Sequence, residues 1–99
     1  MAELLDDAAI TARLKDLPNW TRDGKEIHRR VKAPSFMAGI DLVGDVARVA
    51  EEADHHPDID IRWRTLTFTL STHSAGGLTA RDFDLAARID AIVARHGAE

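Results

Sequence analysis

The chain has 99 residues, a formal net charge of −4, 44% hydrophobic and 30% charged residues, and no cysteine. That length suits one compact domain spanning 1–99 rather than two. The acidic balance argues against a broad nucleic-acid or acidic-membrane surface, and the missing cysteines exclude disulfides, thiolate nucleophiles and cysteine-based zinc sites. Aromatic residues are sparse at 5%, with no Tyr, so the core must come mainly from Ala, Val, Leu and Ile. Residues 1–7 are acidic where a signal peptide would be basic, and no apolar run approaches the ~20 residues of a membrane span. A cytoplasmic, membrane-free protein is the expectation.

In chain order, residues 7–17 carry Ile10, Leu14 and Leu17 at helical spacing, and Pro18 stops the pattern. Trp20-Thr21-Arg22 and residues 26–31 flank Asp23-Gly24, a hairpin signal because that pair tolerates positive φ. Pro34-Ser35 then opens the longest helix. Phe36, Ile40, Val43, Ala47 and Ala50 step by four, three, four and three, predicting one apolar stripe. Pro57 disfavours helical geometry at His56 and turns the chain out of the helix.

From Asp58 the period changes to two. Ile59, Ile61 and Trp63 alternate with Asp60, Arg62 and Arg64, and Leu66, Phe68 and Leu70 alternate with threonines. A turn near Arg64-Thr65 makes this a second hairpin. The pairs Arg29-Arg30 and Arg62/Arg64 are expected on a solvated sheet face. After Gly76-Gly77, Thr79 is a good N-cap and Asp82 stands at the capping-box position. Leu85, Ile89, Ile92, Val93 and His96 form the stripe of a last helix, closed by Gly97. The order α-β-β-α-β-β-α predicts an α+β fold, a four-stranded antiparallel sheet with three helices on one face.

Function is concentrated in two short runs. Glu51-Glu52-Ala53-Asp54-His55-His56-Pro57 and Ser71-Thr72-His73 hold three of the five histidines. Histidine can give and take a proton near neutrality, so several of them set among carboxylates suit general acid–base chemistry. The spacing places Glu51, Asp54 and His55 on one helical face. His73 is expected on the threonine side of its strand, able to meet His55 and His56, with Arg81 and Asp82 entering from the last helix. Plainer roles compete: a solvated helix face for Glu51 and Asp54, a helix-end residue for His55, and capping for Asp82. His28 and His96 are assigned no function. Three histidines with carboxylates also suit zinc or iron, but adjacent helical histidines diverge, whereas helical metal motifs space them four apart. No metal is therefore expected.

Glu51-x-x-Asp54-His55-His56-Pro57, Trp63, Ser71-Thr72-His73 and Gly77-Leu78-Thr79-x-Arg81-Asp82-x-x-Leu85-Ala86 together resemble the pterin-4a-carbinolamine dehydratases. Trp63 stands where Tyr is frequent. The resemblance implies dehydration of a 4a-hydroxytetrahydropterin to the quinonoid dihydropterin without metal or organic cofactor. In that role His55, His56 and His73, with Asp82, form the acid–base set. Glu51, Asp54, Ser71, Thr72, Ser74 and Arg81 join the histidines in binding the pterin, residues 71–74 through backbone groups. It also implies a homodimer or homotetramer. The alternative is a non-catalytic dimerisation or assembly partner built on the same fold, which has no need of a complete histidine set.

Overall fold

A computed structural model describes residues 2–99. Helix α1 spans Asp7–Leu14 and is capped by Asp6, whose carboxylate accepts from the Ala9 N–H at 2.8 Å. It ends one turn earlier than its periodicity suggests. Leu17 lies in the turn before Pro18 but remains buried, so the apolar spacing reports burial rather than helix length.

Strands β1 (Thr21–Asp23) and β2 (Glu26–Lys32) pair with Asp23 opposite Glu26. The loop is thus Gly24-Lys25, one residue on from the Asp-Gly pair, and only Gly24 adopts positive φ, at +60°. Strands β3 (Asp58–Arg62) and β4 (Thr65–Leu70) form the second hairpin. Arg62 pairs with Thr65, so the turn is Trp63-Arg64. Trp63 carries a positive φ of 53° and is 72% exposed, with the Arg64 guanidinium 4.9 Å from its ring centre. All pairings are antiparallel, in the order β1-β2-β4-β3.

Helix α2 (Phe36–Ala53) begins at Ser35, whose hydroxyl accepts from the Ala38 N–H at 3.0 Å. Its buried residues are Gly39, Leu42, Val46 and Ala50, so of the expected row only Ala50 is fully buried, with Ile40 and Val43 partly so. Phe36 is 47% exposed, and Ala47 is exposed as well. Gly39 lies on this face. A Cβ there would sit 3.4 Å from the Ala33 Cβ and 3.6 Å from a Leu66 methyl, so the helix approaches the sheet on its glycine side. Helix α3 (Ala80–Arg95) buries Phe83, Leu85, Ala86, Ile89, Ile92 and Val93.

The core lies between the helices and the face bearing Ile27, Val31, Leu66, Phe68 and Leu70, all fully enclosed. Burial of each such side chain contributes about 1.5–3 kcal/mol. The opposite face carries Thr65, Thr67 and Thr69 on β4 and the exposed Arg30 and Arg62 beside them. Arg29 departs from the solvated-face expectation. It alternates inward with Ile27 and Val31, is 8% exposed, and donates to Asp90 Oδ1 of α3 at 2.6 Å. The Trp20 indole donates to the same oxygen at 2.8 Å.

Candidate active site

The site forms where α2 ends, β4 ends and α3 begins. Helix α2 stops at Ala53 because Asp54 turns left-handed (φ 49°, ψ 45°), a conformation that aspartate tolerates better than most residues. The Asp54 N–H is shared between the Ala50 and Glu51 carbonyls, and the His55 N–H returns to Ala50 at 3.1 Å. This closure replaces the single helical face expected for Glu51, Asp54 and His55. It sends His55 inward, to 7% exposure, and leaves Glu51, Asp54 and His56 exposed. The Arg81 guanidinium donates to the carbonyls of Asp54 at 2.5 Å and Ala53 at 3.2 Å. A cation on the last carbonyls of a helix is favoured by both hydrogen bonding and the helix dipole.

On the opposite side, β4 stops at Leu70, so His73 does not continue the strand. It opens a short 3-10 turn, His73–Ala75, and is exposed. The Thr72 and Gly77 backbones bridge across the base of this loop. Gly76 makes the return possible with a φ of +81°. The Ser71 hydroxyl donates to the Lys25 carbonyl at 2.7 Å, tying the loop to the first hairpin.

At the centre is Asp82, fully buried in the first turn of α3. Its Oδ2 accepts from the Thr79 N–H at 2.9 Å, completing the predicted capping box, and from the Thr72 hydroxyl at 2.8 Å. Its Oδ1 lies 2.6 Å from His55 Nε2. A carboxylate offers only acceptors, so Nε2 carries the hydrogen. Among the described residues the fully enclosed side-chain nitrogens and oxygens without a partner are Arg29 Nε and Arg64 Nε, so His55 Nδ1, which has no hydrogen bond there, is not sealed from its surroundings. Capping and orientation of His55 are thus combined in one carboxylate.

Asp54, His55, His56 and Arg81 line one side of a cavity of about 230 Å³, and Ser71, Thr72, His73 and Ser74 line the other. All three singled-out histidines therefore share one cavity. Glu51 is not among its lining residues; its carboxylate lies 3.1 Å from His56 Nε2 at the surface. Thr79, read in the sequence only as a cap, lies 2.8 Å from the Thr72 hydroxyl and belongs to the supporting network. Among the described residues, no three His, Cys, Asp or Glu side chains are gathered in a way that would hold a metal ion. No helix of the described chain is long and apolar enough to cross a membrane.

Residues 3–92 match the family model described as pterin 4 alpha carbinolamine dehydratase. A Nocardia farcinica protein named "Putative pterin-4-alpha-carbinolamine dehydratase" is 68% identical over 89% of this chain and 93% of its own length. One of the same name from Roseiflexus castenholzii is 60% identical over 94% of this chain and the whole of its own. Among solved structures, a transcriptional coactivator/pterin dehydratase from Brucella melitensis superposes with a TM-score of 0.86 at 29% identity, covering 89% of this chain and 96% of that one.

Proposed function

The chain belongs to the pterin-4a-carbinolamine dehydratase family, and from that premise we propose that it removes water from a 4a-hydroxytetrahydropterin to give the quinonoid dihydropterin. The observation that carries this reading is the Asp82-anchored His55 facing the same cavity as His56 and His73.

The reaction breaks the C4a–O bond as a proton is added to the departing hydroxyl. A second proton leaves ring nitrogen N5, and the C4a=N5 double bond forms. Asp82 holds His55 with Nε2–H turned inward and stabilises the imidazolium that forms when Nδ1 accepts a proton, the logic of a carboxylate–histidine pair. His55 is therefore the base toward N5. His56 and His73 are both exposed to solvent and can reload from it, which fits them to protonate the leaving hydroxyl. The backbone of residues 71–74 flanks the pocket and offers hydrogen bonds to a flat heterocycle. Each proton transfer contributes on the order of 10²- to 10⁴-fold in rate.

Stopped-flow decay of a synthetic carbinolamine tests the assignment. His55→Ala and His73→Ala are expected to lose most of the acceleration over the spontaneous reaction, and full retention by both rejects it.

A second reading, a partner protein, is favoured by the apolar residues left uncovered. Phe36 (47%) and Met37 (64%) on α2 stand exposed, as do Ile61 (39%) on the edge strand and Trp63 (72%) beside it. Such surface suits association, and a homodimer or homotetramer is proposed with it. Sedimentation of the purified chain decides the assembly state; a monomer at working concentration rejects it.

A further inference from the structure

We propose that Thr72 is a positioning residue that fixes how His55 exchanges protons, acting through Asp82 from the loop that carries His73. This deepens the dehydratase reading of the site and rests on it for its catalytic meaning, though not for its geometry.

Thr72 is 2% exposed and Thr79 fully buried, so neither hydroxyl is available to substrate. The direction of every hydrogen bond around them can be deduced. Thr72 has one hydroxyl hydrogen, and Asp82 Oδ2, 2.8 Å away, can only accept it. The Thr72 oxygen must then accept in its 2.8 Å contact with Thr79, whose own hydroxyl donates. The Thr79 oxygen accepts in turn from the Arg81 N–H at 3.2 Å. The chain of donors thus runs from the Arg81 backbone through Thr79 and Thr72 to Asp82, and the carboxylate's other oxygen faces His55. Aligned hydrogen bonds polarise one another in a buried setting.

Three donors share the Asp82 charge: the Thr79 N–H, the Thr72 hydroxyl and His55 Nε2. Removing the Thr72 donor leaves more of that charge to His55, which favours the imidazolium. Thr72 also anchors the His73 loop, since its N–H donates to the Gly77 carbonyl at 2.9 Å. One residue therefore sets the proton affinity of a histidine on one wall and the base of the loop on the other. The remaining charged groups around His55 are Asp54, His56 and Glu51 from the end of α2, Arg81 from α3 and His73 from the loop. None of them occupies the Asp82 oxygens.

The test is an NMR titration of the His55 ring in the full chain, without pterin, in the wild type, Thr72→Val and Thr72→Ser. Thr72→Val is expected to move the His55 midpoint upward by about 0.5–1 pH unit, with Thr72→Ser restoring it. The acidic limb of the kcat profile should shift the same way. An unmoved His55 midpoint in a folded Thr72→Val overturns the proposal. Should that variant not fold, the wild type still decides. His55 as the Nδ1–H tautomer, or a Thr72 hydroxyl proton exchanging freely with solvent, refutes the relay. A protein inactive on carbinolamine but showing the shift would retire the dehydratase reading and leave the relay standing.

Discussion

His55 Nε2 and Asp82 Oδ1 lie 2.6 Å apart although 27 positions separate them in the chain. The contact exists because a left-handed Asp54 ends one helix where a capping box begins another. Asp82 therefore carries two duties that mutation can separate. In Asp82→Asn, the amide oxygen can still accept from Thr72 and Thr79, but its NH₂ then faces His55 and inverts the required tautomer. The expected result is a fall in kcat on the order of 10²- to 10⁴-fold. Thermal unfolding measured alongside should show a much smaller relative loss. Asp82→Ala also removes the cap and leaves buried donors unpaired, so it should lose roughly 3 kcal/mol of stability.

Arg81 should matter more for shape than for charge. Its guanidinium holds the carbonyls of Ala53 and Asp54, which fixes the turn that delivers His55. Arg81→Met keeps the apolar stem and is expected to cost about 1–2 kcal/mol in urea denaturation. Adding Asp54→Gly, which relieves the positive φ, should return about 0.5–1 kcal/mol of that. Failure of the glycine to help would mean that Arg81 does not act through this turn.

The order of elements and the helix starts were legible because each has a local cause. Ser35 and Thr79 are caps, Asp82 completes a box, and the change of period after Pro57 marks the strands. What escaped depends on tertiary partners. Apolar residues lie on more than one side of α2, and packing against Ala33 and Leu66 buries the side that carries Gly39, Leu42 and Val46. Arg29 reads as surface because its partner, Asp90, lies 61 residues away. The placement of His73 turned on Gly76 and on the Thr72–Gly77 bridge, which end the strand before the period-two pattern does. The three histidines and Asp82 stand out as candidates by residue type and local spacing alone, whereas the Thr79–Thr72 support arises only where the fold brings the two hydroxyls together. The Thr79-x-x-Asp82 box was its only local signal.

Acid should loosen the contact between α2 and the end of α3 through Asp45. Its carboxyl is held below its ordinary value near 3.8, first by the hydrogen bond with His96 and then by the charges of His96, Arg48 and Arg95, with desolvation opposing. His96 Nε2 lies 2.7 Å from Asp45 Oδ2. A depressed folded-state pKa gives stability that is present above the ordinary value and lost as pH falls below it. The stability gap between wild type and Asp45→Asn is therefore expected to narrow between pH 5 and pH 2.5 in urea titrations. A constant gap over that range would show that the Asp45 interactions do not couple to folding.

The inward-facing Arg29 predicts an asymmetric pair of mutations. Its side chain is 9% exposed and that of Asp90 25%, and Asp90 Oδ1 also serves the Trp20 indole. Asp90→Ala leaves a nearly buried guanidinium and an indole N–H without their acceptor, in a site where Arg29 Nε already lacks one. Breaking a buried pair from that side costs about 3–5 kcal/mol, with partial exposure of Asp90 favouring the lower end. Arg29→Met removes the charge that needs the partner and fills similar space beside Phe68, its neighbour across β2 and β4. It should cost less than about 1.5 kcal/mol, because the carboxylate keeps Trp20 and reaches solvent. Urea denaturation of the two single variants and the double variant measures this directly. The double variant is expected to be more stable than Asp90→Ala alone, since the stranded cation is gone. If Asp90→Ala proved no more damaging than Arg29→Met, the pair would be an ordinary surface contact and the strand's inward arginine would need another explanation.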